Sequence, residues 1–146
     1  MRIIGYKIKK LRAEMFKEPE GILSVDSNFD ISKITEEKTQ YNNNPVFGFE
    51  FLYSINYDQI AIIELKGIIF IEIDNIETAE NLRENQKISD NDLRKFVIEG
   101  ILKKTYVETL SLEEKLNIPF HIRPPKVNIG PQEEAESNSS DEETNL

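Results

Sequence analysis

His121 is the single histidine of a 146-residue chain that contains no cysteine. A lone imidazole serves as general acid or base only when a carboxylate or nucleophile is held beside it. Here the neighbours are Phe120 and Ile122, in a segment with Pro119, Pro124 and Pro125, so a packed extended segment is the simpler reading. Ser89-Asp90-Asn91-Asp92 offers oxygen ligands, but it lacks the alternating spacing, central glycine and closing glutamate of a calcium loop. Helix capping accounts for it better. Without cysteine there is no thiolate zinc site and no thiol nucleophile. The chain also lacks a phosphate loop, GxGxxG and GxSxG. Glu50, Glu64 and Glu72 stand singly in strand-like runs, where solvated positions are expected. No catalytic constellation emerges, and the expectation is a protein that is not an enzyme and needs no cofactor or metal.

That leaves surfaces. In the stretch FGFEFLYSINY, large apolar side chains fall on Phe47, Phe49, Phe51, Tyr53, Ile55 and Tyr57. A strand alternates its faces with period two, so all six point one way. A half-buried strand needs an apolar face, which makes a core the default reading. Aromatic residues are also favoured at interfaces and in binding grooves. The expectation is that Phe49 to Tyr53 pack under a helix, while Phe47 and Tyr57, at the two ends, are left uncovered.

The elements that position this row can be read in order. In residues 3–16, Ile4, Tyr6 and Ile8 alternate with Gly5, Lys7 and Lys9, then slip to Leu11, Ala13 and Met15. Ile8, Leu11 and Met15 also keep helical spacing, but a strand with a bulge fits the whole run. Ser27 to Thr35 carries Phe29 and Ile31 at strand spacing, and Tyr41-Asn42-Asn43-Asn44-Pro45 is turn chemistry. The row at 46–57 and the β-branched run Ile60–Ile73 are close enough to form a hairpin. Gly67 marks a bulge or a close backbone approach within it. From Ser89 the period turns helical. Leu93, Phe96, Val97, Gly100 and Ile101 share one stripe, and small Gly100 lets another element come close. Ser111-Leu112-Glu113-Glu114 has capping-box spacing and predicts a second, short helix. Strands followed by helices predict an α+β fold: a four-stranded antiparallel sheet with C-terminal helices packed on one face.

Composition narrows the class further. The net charge of -9 is uneven, because residues 131–146 hold six acids and no Lys or Arg. That composition predicts an acidic disordered tail behind a single domain at 1–130. An acidic chain argues against nucleic acid as a partner. No apolar run is long enough to span a membrane, and the Lys- and Arg-rich N-terminus does not read as a signal peptide. A cytoplasmic location is expected. The hairpin run is apolar on both faces, with Ile60, Ile62 and Ile68 on one and Ile63, Leu65, Ile69, Ile71 and Ile73 on the other. One helical layer covers only one face, so part of the sheet is expected to meet another chain or a client.

Several strings resemble the SecB family of protein-export chaperones. Ile62-Ile63-Glu64-Leu65-Lys66-Gly67-Ile68-Ile69-Phe70-Ile71 is similar to that family's strand with a central acid and a Gly-Ile-Phe string. Phe16-Lys17-Glu18-Pro19 resembles its Phe-x-x-Pro exit from the first strand. The helix at Leu93–Leu110, the proline-containing segment at Ile118–Val127 and the acidic tail follow in the family's order. Lys87-Ile88-Ser89-Asp90-Asn91-Asp92 stands in place of the usual Pro-Asn-x-x-Phe-Pro-Tyr string, and Ala13, beside Glu14, stands where an acid is usual.

The resemblance implies a homotetramer, a dimer of dimers, that acts as an ATP-independent holdase for unfolded or preprotein chains. It implies client grooves lined by Phe47, Phe49, Phe51, Tyr53, Tyr57, Phe29 and Phe120. An acidic sheet surface around Glu64, Ile62 and Glu14 would dock a translocation partner, and Leu93, Phe96, Val97, Gly100 and Ile101 would form the oligomer interface. Two other readings stay open. One is a dedicated interaction subunit, such as an antitoxin-protecting chaperone. The other is a small-molecule-binding or enzymatic domain using His121.

Overall fold

A computed structural model describes residues 1–18 and 24–118 of the chain. The alternating runs form β1 (Arg2–Met15), β2 (Val25–Glu36), β3 (Val46–Tyr57) and β4 (Ala61–Glu72). They make one antiparallel sheet in the order β1-β4-β3-β2, with β1 and β2 at its edges. Of two register shifts in β1, the one between Ile8 and Lys10 is the bulge that the slipped alternation predicts, and the one between Ile3 and Gly5 carries no such signal in the alternation. The β3–β4 hairpin turns through Asp58 and Gln59, both at positive φ, and Ile60 N–H donates to the Tyr57 carbonyl at 2.8 Å.

Register assigns the faces. Phe47 lies opposite Ile71, Phe49 opposite Ile69, Tyr53 opposite Leu65 and Ile55 opposite Ile63, so the odd positions of both central strands share one face. Two helices, α1 (Ile76–Asn85) and α2 (Asn91–Leu116), contribute to the core that covers it. This is the α+β arrangement expected. Gly100 lets α2 lie close on the sheet. A Cβ there would lie 2.8 Å from Ile3 Cδ1 and 3.3 Å from Ile69 Cδ1.

The helices depart from the sequence reading in two ways. The helix α1 was not anticipated. It buries only Ala79 and Leu82, too short a stripe to show a period, and Asn75 caps it by accepting from Thr78 N–H at 3.1 Å. The helix α2 starts as expected, with Asp90 accepting from Asp92 N–H at 3.0 Å, but it runs unbroken to Leu116. The separate helix expected at Ser111 is therefore corrected to the last turns of α2. No Gly or Pro stands between Gly100 and Pro119 to end it. The buried stripe simply changes chemistry. Leu93, Val97 and Ile101 are followed, every fourth residue, by Thr105, Thr109 and Glu113, all buried. Thr109 Oγ1 donates to the Thr105 carbonyl at 2.9 Å, which lets a hydroxyl sit in the core.

These two helical segments overturn the expectation for the ends of the aromatic row. Phe47 is 1% exposed and Tyr57 0%. Arg83 of α1 lies over the Phe47 ring at 6.0 Å, and the Tyr57 hydroxyl meets the Glu113 carboxylate of α2. Both ends are covered because α1 exists and α2 is long.

Tyr6 presents the opposite case. Its hydroxyl is buried with no hydrogen-bond partner among the described residues. Burial, and secondarily the charge of Glu108, push its pKa up to about 12. Tyr6→Phe is expected to raise the unfolding free energy by about 1 kcal/mol, since an unsatisfied buried hydroxyl carries its desolvation penalty uncompensated. Urea denaturation of the two chains checks it; a clear loss of stability would refute it.

Candidate functional site

Between the edge strand β2 and the start of α2 lies an open groove of about 360 Å³. Phe29, Ile31 and Ile34 line one side, Ile88 another, and Arg94 and Ile98 of α2 a third. Three local interactions hold these walls. Arg94 donates to the Ile88 carbonyl at 2.8 Å, fixing the α1–α2 connection against α2. Arg83 makes two bonds to Glu36, at 2.7 and 2.9 Å, tying α1 to the end of β2. That guanidinium holds the Glu36 carboxyl below the usual carboxylate range. A register shift between Ile31 and Lys33 places a bulge in the groove-lining strand.

The groove is joined to the core by stacked rings. Phe29 stacks on Phe51 with centroids 6.4 Å apart, and Phe51 on Tyr6 at 6.1 Å. Phe51 and Tyr6 come from β3 and β1, with β4 between them. Phe51 lies opposite Gly67 of β4, and a Cβ there would sit 2.9 Å from the ring. The ladder orients Phe29, the one member that is half-exposed at the groove.

Of the sequence-derived candidates for client contact, Phe29 lines this groove. Phe47, Phe49, Phe51, Tyr53 and Tyr57 are 0–2% exposed and form the chain's own core, so as groove lining they are corrected. A residue packed on both sides within its own chain offers nothing to a client. Phe120 and His121 lie outside the described residues. What the sequence reading missed are Ile31, Ile34, Ile88, Arg94 and Ile98; Ile31 shares the strand period of Phe29, but Ile88 and Ile98 reach the groove only through tertiary packing.

The proposed oligomer contacts fare similarly. Leu93, Val97, Gly100 and Ile101 are buried against this chain's own sheet, and Phe96 alone is half-exposed. The stripe is accordingly internal, and that assignment is corrected.

The third set, Glu14, Ile62 and Glu64, is brought together on the sheet face opposite the helices. Glu14 lies opposite Ile62 across the strands, and Glu64 opposite Arg12. Arg12 was not anticipated. It bonds Glu64 at 2.8 Å and Glu14 at 2.8 Å, which matches much of their charge. Lys7, Lys10, Lys33 and Lys66 share this face by register, and Lys9 reaches Glu50 on it at 2.6 Å. The open face is thus not the acidic surface that the resemblance implies. Glu72, expected to be solvated, is 6% exposed and accepts from Asn44 Nδ2 at 3.1 Å.

Comparison with known proteins identifies the fold. The chain has the fold of a solved SecB-like chaperone from Mycobacterium tuberculosis, determined in complex with a ChAD peptide from the HigA1 antitoxin. The TM-score is 0.52 at 12% identity, over 89% of this chain and 91% of that one. No family model matches the chain, and no curated protein matches it in sequence. Among the described residues, no helix is long and apolar enough to cross a membrane, and no cluster of ligating side chains suits a metal ion.

Proposed function

We propose that this protein is a SecB-like chaperone that holds unfolded or partly folded polypeptide segments in the groove beside β2. The observation that carries the reading is the position of an apolar trough, lined by Phe29, Ile31, Ile34, Ile88 and Ile98, directly along a sheet edge. An extended peptide laid there finds pockets for its apolar side chains and, on β2, backbone groups that need a ladder partner. Lys33, Lys87 and Arg94 outnumber Asp30, the single acid of the lining, which suits polar and acidic flanks of such a segment. Catalysis is no part of this reading, and the protein works without a cofactor. The tetrameric assembly, an export partner and a cytoplasmic location belong to the same proposal. The alternative client, an antitoxin segment, is favoured by one observation: the structurally similar chaperone holds such a peptide.

The test is suppression of aggregation of an unfolded model client, with and without Ile31→Asp. Ile31 is half-exposed in the groove, so the variant is expected to fold and to weaken client binding by about tenfold, as loss of a central apolar anchor does. Light scattering should give a mass near four times 17.0 kDa. A correctly folded Ile31→Asp chain that still protects the client fully would overturn the groove assignment. A wild-type chain that never protects it would overturn the holdase.

A further inference from the structure

The sheet face turned away from the helices carries a band of lysines, of which only Lys33 also borders the groove. Lys10 and Lys66 stand directly opposite each other on β1 and β4, a like-charge pair that costs stability. Lys7 and Lys33 lie in the next row across the sheet, flanking Ile68 and Glu50. Lys9 is bound to Glu50, but among the described residues no carboxylate lies within ion-pair distance of Lys7, Lys10 or Lys66. Leu52, opposite Lys66, is 36% exposed. On α2 the pattern differs, because Lys103 and Lys104 each have a glutamate four residues away, Glu99 and Glu108. The row of Lys10 and Lys66 ends at Leu52 and Asp30, and Glu50 interacts with Lys33 and Lys66 as well as Lys9, yet this part of the face holds five lysines (Lys7, Lys9, Lys10, Lys33 and Lys66) against those two acids in a chain of net charge -9.

We propose that the acidic C-terminal segment, residues 131–146, docks on this basic band. The complementarity is direct: the segment supplies Glu133, Glu134, Glu136, Asp141, Glu142 and Glu143 and no Lys or Arg. Chain length permits it. The described chain ends at Ile118, whose N–H is bonded to the Glu113 carbonyl, beside the Tyr57 end of the hairpin. From Tyr57 to the row of Leu52 is about 17 Å along the strand, and passing to the other side of the sheet adds about 10 Å. Residues 119–130 span up to about 40 Å when extended, so the acids begin within reach of the band. Docked there, the segment covers Leu52 and removes the lysine–lysine repulsion. Lys7, Lys10 and Lys66 of the band do not line the groove, so the proposal stands or falls separately from client binding.

The absence of cysteine makes the test clean, because Ser140→Cys carries a single spin label on the full chain. The methyl groups of Leu52, Ile62 and Ile68 are expected to lose NMR intensity, and those of Ile31, Ile88 and Ile98 in the groove to keep it. In the double variant Lys10→Glu with Lys66→Glu, the lost intensity should return. Both side chains are exposed and the pair remains like-charged, so the fold is retained. Loss spread equally over both sets, loss confined to the groove set, or loss that survives the double variant would each overturn the proposal. So would a DNA duplex that perturbs the open-face methyls while the label does not, which would assign the band to nucleic acid.

Discussion

Gly67→Ala is expected to lower the unfolding free energy by about 3 kcal/mol, the upper end of what overpacking a core costs. Its Cβ would lie 2.5 Å from the Lys7 carbonyl oxygen and 2.9 Å from Phe51 Cζ. The carbonyl belongs to the neighbouring strand and cannot rotate away. Gly48→Ala is the control. There the nearest atom is Ile68 Cδ1 at 2.8 Å, the far end of a side chain that can turn aside. It should cost about 1 kcal/mol or less, since strand alanine is itself preferred over glycine. Guanidinium denaturation of the two variants decides the matter; equal costs would show that β1 and β4 are not in close approach at Gly67. A further effect follows from the ring ladder under the proposed holdase function: displacing Phe51 disturbs Phe29, so any folded Gly67→Ala chain should also protect an unfolded client less well.

Tyr57→Phe is expected to cost about 2–3 kcal/mol, because it removes a hydroxyl donor from a buried carboxylate. Glu113 is 0% exposed and accepts from Tyr57 where the end of α2 meets the hairpin. Glu113→Gln keeps an acceptor for the hydroxyl and removes the buried charge, so it should cost less than Tyr57→Phe. The reverse order would remove the hydroxyl–carboxylate bond as the clamp on α2. The same pair fixes an alkaline limit. Burial first, then the bond to Glu113, raises the Tyr57 phenol above its ordinary value; burial likewise raises Tyr53. A raised phenol pKa leaves stability whole below about pH 10, where the unfolded tyrosines begin to ionise. Above it the unfolded chain releases protons that the folded chain retains, and stability falls with rising pH. The melting temperature should therefore drop steeply above about pH 10, with tyrosinate absorbance appearing together with unfolding. Titration of these tyrosines in the folded chain at their ordinary value would refute it.

Much of the architecture was legible because its signals are local. The alternation from Phe47 to Tyr57 and from Ile60 to Ile73, separated by a few turn residues, is enough to set a hairpin, and its bounds match the structure within about a residue. The slip after Ile8 announced a bulge, and Gly67 a close approach. Asp90 announced the start of α2. The misreadings come from segments whose local signal is weak or ambiguous. The helix α1 buries just two side chains. The second half of α2 packs Thr105, Thr109 and Glu113 inward, polar residues that hide the period when only apolar ones are counted. Their fourth-residue spacing from Ile101 was the available sign.

What the sequence determined by itself is which residues share a face: the six large side chains of β3, the apolar stripe that opens α2, the α+β order of elements. Period and turn chemistry act between near neighbours and need no knowledge of the rest of the chain. Only the tertiary structure decided which shared face is covered, and by what. Phe47 and Tyr57 became core because Arg83 and Glu113 arrive from distant parts of the chain. Phe29 stayed half-exposed because β2 is a sheet edge beside an open groove. Exposure is a property of contacts between residues far apart in sequence, and those contacts form only when the sheet order and the lengths of both helices are settled together.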